Sequence, residues 1–167
     1  MEEKIMTNGK NTEQAEALDC VENTEDLMAA MKKTLQLKEV DAVMYSPLVL
    51  AYIGDDIYDL VIRTYLLNKG NMQVNKINKH ANALVKAQTQ SEMIKYMEPV
   101  MTEQELSVYK RGRNAKSVTT AKNATVNDYR RATGFEALMG YLYLCGKYER
   151  MMELIRVSLA GIGEIKE

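Results

Sequence analysis

Asp55 follows a glycine inside one of the most apolar windows of the chain, LAYIGDDIYD (Leu50 to Asp59). Helix interiors favour neither residue type, and a carboxylate buried without a partner is costly. Glu136 repeats the pattern in ATGFEALMGYLYL, with apolar neighbours on both sides and Gly134 and Gly140 flanking it. A glycine at such a place lets another backbone or a ligand come close. For Gly54 a tight helix crossing and a ligand site fit equally well. Two such carboxylates meeting across a helix pair would repel unless a proton or a cation lay between them. Carboxylate oxygens and water are the ligands that Mg²⁺ and Mn²⁺ prefer. Other chemistries have little support. His80 is the only histidine, and no cysteine–histidine spacing suggests zinc. There is no Gly-rich phosphate loop, and a serine–histidine or cysteine–histidine engine has little to stand on.

The remaining acids nearby are plainer. Asp59 and Arg63 are four residues apart with opposite charge, the spacing of an exposed ion pair on a helix. Asp56 can point to solvent. The cations are concentrated elsewhere. Residues 110–131 hold seven basic groups against Asp128, a local net charge of +6, on a stretch rich in Gly, Asn, Ser and Thr. In a chain of net charge −1 such a cluster points to a phosphate-bearing partner, and with paired acids it fits metal-assisted phosphodiester hydrolysis. A solvated lysine–arginine face is the plainer alternative. The counterweight is the start of the chain, where residues 1–26 carry a net charge of −6.

The elements that would position these groups are helices. Thr24 can cap a helix carrying Glu25 and Asp26 in its first turn. Ser46-Pro47 is a helix start, with a capping hydroxyl and then proline at the first position. From there the apolar stripe Leu50, Ile53, Ile57, Leu60 and Val61 runs toward a stop at Gly70. A third helix is expected over about Val74 to Met97, before Pro99. Thr102 and Glu105 have capping-box spacing, opening a short helix that ends at Lys110-Arg111 before Gly112. A loop follows, then a helix from about Asp128 to Gly146, and a last one over about Tyr148 to Ala160. No segment alternates as a strand does. The fold class is all-α.

Composition sets the bounds. At 167 residues with 46 % hydrophobic content, only two prolines and no tryptophan, the chain suits one globular domain rather than a turn-dense β architecture. No apolar run is long enough to cross a bilayer, and the polar, acidic N-terminus resembles neither a signal peptide nor an anchor. Residues 1–23 are expected to be a disordered acidic tail, with the folded domain over 24–167. Cys20 and Cys145 are expected to be reduced thiols in a cytoplasmic protein. The methionines are expected to fill gaps in the core.

Three windows carry a family resemblance. LVLAYIGDD (Leu48 to Asp56) is similar to the signature ERLEFLGDA of the ribonuclease III catalytic-domain family. TGFEALMGYLYL (Thr133 to Leu144) is similar to its second motif, DxxEAxxGAxYL. KRGRNAKS (Lys110 to Ser117) resembles the loop of the family's stand-alone short form. The windows lie in the family's order and spacing, within a resemblance spanning about Pro47 to Ile155. No double-stranded-RNA-binding domain is expected after Glu167, as in that short form. Two family carboxylates are replaced, by Ala51 and Thr133, a reduction the short form shares. Val118 and Ala121 stand where the short form usually has glycine and proline.

The resemblance implies the ribonuclease III endonuclease-domain helical fold and a Mg²⁺-dependent endoribonuclease, with Mn²⁺ as a possible substitute. Its catalytic, metal-binding carboxylates would be Asp55 and Glu136. Arg111, Arg113, Asn114, Lys116, Ser117 and Lys122 would grip an A-form RNA duplex, helped by Arg130 and Arg131. His80 and Lys86 are weaker candidates, with a structural role favoured for His80. The products would carry 5′-phosphate and 3′-hydroxyl ends. Cutting both strands implies a homodimer, with Tyr52 and Ile53 at its seam. The substrate implied is a precursor of large-subunit ribosomal RNA. Two other classes stay open: a catalytically weak protein that binds double-stranded RNA, and a helical interaction module whose basic loop docks an acidic partner.

Overall fold

The computed structural model describes residues 26–116 and 125–166. The described residues contain seven α-helices and no strand, so the all-α class is as expected. They fall into two compact units, up to Glu39 and from Val40 onward. In the first, α1 (Leu27–Leu35) is capped by Asp26, whose side chain accepts from the Met28 amide at 3.2 Å. The cap is therefore Asp26, where Thr24 was expected; Thr24 itself, like the acidic segment 1–23, lies outside the described residues.

The second unit begins with a 3₁₀ turn, Ala42–Met44, and continues with α2 (Pro47–Leu67). The start of α2 is as expected, with the Ser46 hydroxyl accepting from the Val49 amide at 3.3 Å. Its end comes earlier, at Leu67, and Gly70 follows the turn with φ 123°. The expected helix over residues 74–97 is two helices, α3 (Val74–Val85) and α4 (Ala87–Met97). Lys86 between them is extended, at φ −66° and ψ 148°. The Thr89 hydroxyl donates to the Ala83 carbonyl at 2.6 Å and so supplies one of the hydrogen bonds lost at the break. A 3₁₀ turn through Pro99 leads to α5 (Glu103–Asn114), then α6 (Val126–Leu144) and α7 (Tyr148–Gly161).

Helix α6 is the centre of the unit. It is buried on most sides, over Ala132 to Gly134, Phe135, and Ala137 to Leu142, as a helix surrounded by others must be. Helices α2, α4, α5 and α7 all pack on it. Tyr58 of α2 meets Phe135 edge to face, with ring centroids 4.8 Å apart, and its hydroxyl donates to the Leu84 carbonyl at 3.2 Å. Met93, Met97 and Met139 fill the core around them, as expected of the methionines. Each large side chain taken fully out of water here contributes about 2 kcal/mol.

Glycines set how close the helices come. A methyl on Gly54 would lie 1.8 Å from the Glu136 carbonyl oxygen, and one on Gly140 would lie 2.0 Å from that of Leu50. Helices α2 and α6 thus touch backbone to backbone. Gly112 serves the same purpose between α5 and α6, where an added methyl would lie 2.7 Å from the Ala137 Cβ. This is why Gly112 lies inside α5 and does not end it.

Candidate active site

The α2–α6 crossing puts Asp55 and Glu136 side by side. Gly54 rests on the backbone of Glu136, so the residue after it must be a neighbour of that glutamate. The two alternatives for Gly54 are thus compatible: the tight crossing is what brings the acids together. Burial first, and then the Asp55 charge, push the Glu136 carboxyl up to about 8. Asp55 is exposed as a residue, yet partial burial of its carboxyl and the charges of Asp56 and Asp59 raise it above the ordinary aspartate value.

Among the described residues no cation offsets the raised Glu136. Nor does any group of three or more His, Cys, Asp or Glu side chains converge among them that could hold a metal by itself. Two carboxylates with open coordination are what Mg²⁺ accepts, since it keeps several of its waters. A glutamate that holds its proton to about pH 8 for want of a counter-charge is a site a divalent cation would suit. The two replaced positions contribute nothing. Ala51 is buried and apolar, and the Thr133 hydroxyl donates to the Tyr129 carbonyl at 3.0 Å.

Around the pair, Asp56 is exposed, as expected. Asp59 accepts from Arg63 at 2.6 Å, confirming the spacing argument, but the pair is half-buried and the other oxygen, Oδ1, is buried without a partner among the described residues. Sequence reasoning missed Gln90 on α4, which is fully buried. Its amide lies near enough to favour the charged form of Glu136, although neither Nε2 nor Oε1 reaches a partner at hydrogen-bonding geometry. A signal was present: Gln90 shares a helix face with Met93, Ile94 and Met97, where an apolar residue belongs.

The expected RNA-contacting residues divide into four groups. Arg113, Asn114, Arg130 and Arg131 come together with Glu98, Tyr109 and Asn127 around a cleft of about 310 Å³. The Arg113 guanidinium stacks over the Tyr109 ring at 5.7 Å, which holds it in place. Arg111 is turned elsewhere: it donates to the Val43 and Tyr45 carbonyls at 3.4 and 3.1 Å, tying the end of α5 to the first 3₁₀ turn. Lys116 is exposed. Ser117 and Lys122 lie outside the described residues, as do Val118 and Ala121.

Residues 48–147 match the Ribonuclease III domain family. The chain is 48 % identical over 120 residues to a Mini-ribonuclease 3 of Clostridium tetani, covering 71 % of this chain and 80 % of that one. A second Mini-ribonuclease 3, from a Thermoanaerobacter species, is 43 % identical over 138 residues, 83 % of this chain and 97 % of its own. The chain belongs to the ribonuclease III family, in its Mini-ribonuclease 3 branch. It is an endoribonuclease of that type, and the resemblance carried by the three sequence windows is borne out. A solved structure agrees in shape: the crystal structure of protein FN1578 from Fusobacterium nucleatum superposes with a TM-score of 0.67 at 33 % identity, over 73 % of this chain and 94 % of that one.

Away from the candidate site, His80 has the structural place expected of it. Its Nε2 lies 3.0 Å from Glu164, which also accepts from Lys69 at 2.6 Å and from Tyr65 at 3.0 Å. Lys86 is exposed at the α3–α4 break. Cys145 is an exposed free thiol, and Cys20 lies outside the described residues. Among the described residues no helix is long and apolar enough to cross a membrane.

Proposed function

We propose that this protein is a divalent-metal-dependent endoribonuclease that cuts double-stranded RNA as a homodimer, through Asp55 and Glu136. The observation that carries the reading is the un-neutralised acid pair at the α2–α6 backbone crossing. Asp55 and Glu136 would hold Mg²⁺, with Mn²⁺ as a substitute. A divalent ion held by these two carboxylates would supply an acidified water as nucleophile and charge compensation for the leaving oxygen. The chain's own part is to fix the two carboxylates and to place the scissile phosphate. Arg113, Arg130, Arg131 and Asn114 would hold backbone phosphates in their cleft, with Lys116, Ser117 and Lys122 extending the grip and Arg111 bracing it. The products would be 5′-phosphate and 3′-hydroxyl ends.

The surface of α2 supports the homodimer. Val49, Tyr52, Leu60 and Leu67 of this helix are exposed apolar side chains, with Tyr52 76 % exposed. A second copy would cover that surface and supply the site for the other strand. We place the enzyme in the cytoplasm, acting on a precursor of large-subunit ribosomal RNA, with the catalytic domain over residues 24–167 and the acidic segment 1–23 dispensable for cutting.

The test uses the purified full chain with a labelled RNA duplex, with and without Mg²⁺. Cleavage should need the metal. Asp55→Asn should abolish it while a gel shift in EDTA persists, and Asp56→Asn should keep substantial activity. An Asp55→Asn enzyme that cuts at the wild-type rate, or a dead Asp56→Asn enzyme, would overturn the assignment. Binding without cleavage by the wild-type protein would favour a non-hydrolysing RNA-binding protein.

A further inference from the structure

Gln90 is out of keeping with its surroundings. It sits on the apolar face of α4, between the core and α6, and is fully buried. Both polar atoms of its side chain lack a partner among the described residues. Buried amides in folded proteins are nearly always satisfied, and one that is not calls for a reason. A leucine or methionine at this position would match Met93, Ile94 and Met97, and would leave nothing unsatisfied.

The reason lies one helix away. Helix α4 packs along α6, and the Gln90 amide is a neutral donor beside Glu136. We propose that Gln90 is a positioning residue of the metal site, whose amide N–H fixes the orientation in which the Glu136 carboxylate meets a divalent cation. The inference rests on the reading of Asp55 and Glu136 as metal ligands. It also accounts for how the site works with two acids fewer than the broader family. The place of one acid is taken by buried Ala51, and that of the other by Thr133, whose hydroxyl is spent on the Tyr129 carbonyl. The remaining glutamate needs a donor to fix its orientation, and Gln90 is the uncommitted one. A neutral amide suits this better than a cation would, because a lysine or arginine here would occupy the place of the ion.

The proposal separates metal binding from folding. Outer partners that orient a ligand typically change metal affinity by about 10–100-fold when removed. Three full-length variants, Gln90→Leu, Gln90→Glu and Asp55→Asn, would be compared with the wild type. The readouts are thermal melting without divalent cations, Mn²⁺ binding to the RNA-free protein by electron paramagnetic resonance, and the Mg²⁺ concentration for half-maximal cleavage. Gln90→Leu should melt at or above the wild-type temperature, bind Mn²⁺ about 10–100-fold more weakly, and need correspondingly more Mg²⁺. Its duplex binding in EDTA should be unchanged. Gln90→Glu should melt lower without metal and recover when Mn²⁺ is added, since a second buried carboxylate beside Glu136 needs the cation to stay folded. A Gln90→Leu protein with wild-type Mn²⁺ affinity would overturn the proposal. So would one that melts well below wild type or fails to fold, because Gln90 would then be a core residue and no more. If Asp55→Asn loses Mn²⁺ while Gln90→Leu keeps it, only this inference falls. If both keep it, the reading of the metal site falls as well.

Discussion

Two glutamates, Glu105 and Glu136, are drawn into the interior of the same helical unit, and their surroundings differ completely. Glu105 is almost fully buried and fully answered. It accepts from Arg150 at 2.9 and 3.0 Å and from the Thr102 amide at 2.8 Å, closing the capping box of α5. Arg150 in turn donates to the Val100 carbonyl at 2.6 Å. The Arg150 hydrogen bonds outweigh burial, so Glu105 is held below the usual carboxylate range. Glu136 has no cation acting on it among the described residues, and the charge it feels is another acid. A satisfied buried acid clamps two helices together, here α5 and α7. One with no cation beside it among the described residues is the acid that, in the reading proposed above, a divalent ion would answer.

The comparison breaks most completely at Gly54. Gly54→Ala must separate α2 from α6, because its methyl would meet the Glu136 carbonyl. We expect a loss of about 3 kcal/mol of stability and of all cleavage, measured by denaturant melts and duplex digestion. The same variant with normal activity would mean the crossing does not set the site.

Next come substitutions that treat the two glutamates in opposite ways. Arg150→Ala strands the buried Glu105 charge and should remove about 3 kcal/mol of stability, with the activity of the remaining folded enzyme intact. Glu136→Gln should do the reverse at pH 8: abolish cleavage and raise the melting temperature of the metal-free protein. Calorimetry of the two side by side decides it, and a destabilised Glu136→Gln would refute the contrast.

The acidity of the two groups sharpens this further. Glu136 is raised, so the unfolded chain ionises it from about pH 4.5 upward while the folded chain keeps the proton to about pH 8. The metal-free protein should therefore lose stability between those limits, with a slope from this group approaching about 1.4 kcal/mol per pH unit. Glu105 is lowered, so its contribution is present above the ordinary carboxylate range and is lost as pH falls through its own value. Urea melts across pH 4–9 should show this decline between about pH 4.5 and 8 in wild type and not in Glu136→Gln, and added Mn²⁺ should flatten it.

The smallest effect on folding belongs to the basic cleft. Replacing Arg113 and Lys116 together with alanine should leave the melt nearly unchanged and lower the salt slope of duplex binding by about 0.7–0.9 per lost phosphate contact. An unchanged slope would move the RNA grip elsewhere.

Much of this was legible in the sequence wherever a local rule was decisive. Ser46-Pro47 and the Thr102–Glu105 box act within one helical turn, and both caps formed as their spacing predicts. The adjacency of Asp55 and Glu136 was legible because glycine beside an acid weakens an apolar helix unless something is to come close there. The break at Lys86 was not, since neither glycine nor proline marks it and Lys86 itself turns extended between two otherwise helical runs. Gly112 misled for a related reason: glycine ends helices and also lets them touch, and only the neighbouring Ala137 and Gly134 distinguish the two. Gln90 was visible as a polar residue on an apolar face, but its meaning depends on Glu136, far away in sequence.

The crossing at Gly54 and Gly140 has a further consequence for anyone who would re-engineer this enzyme. The spacing of the acids is gauged by peptide backbone pressed on peptide backbone, not by side chains that can swing between rotamers. It works as a machined datum, a fixed reference from which other dimensions can be varied without recalibration. Grafting another loop between α5 and α6, or redrawing the charges of the cleft, should therefore alter which RNA is taken while the proposed cutting centre keeps its alignment.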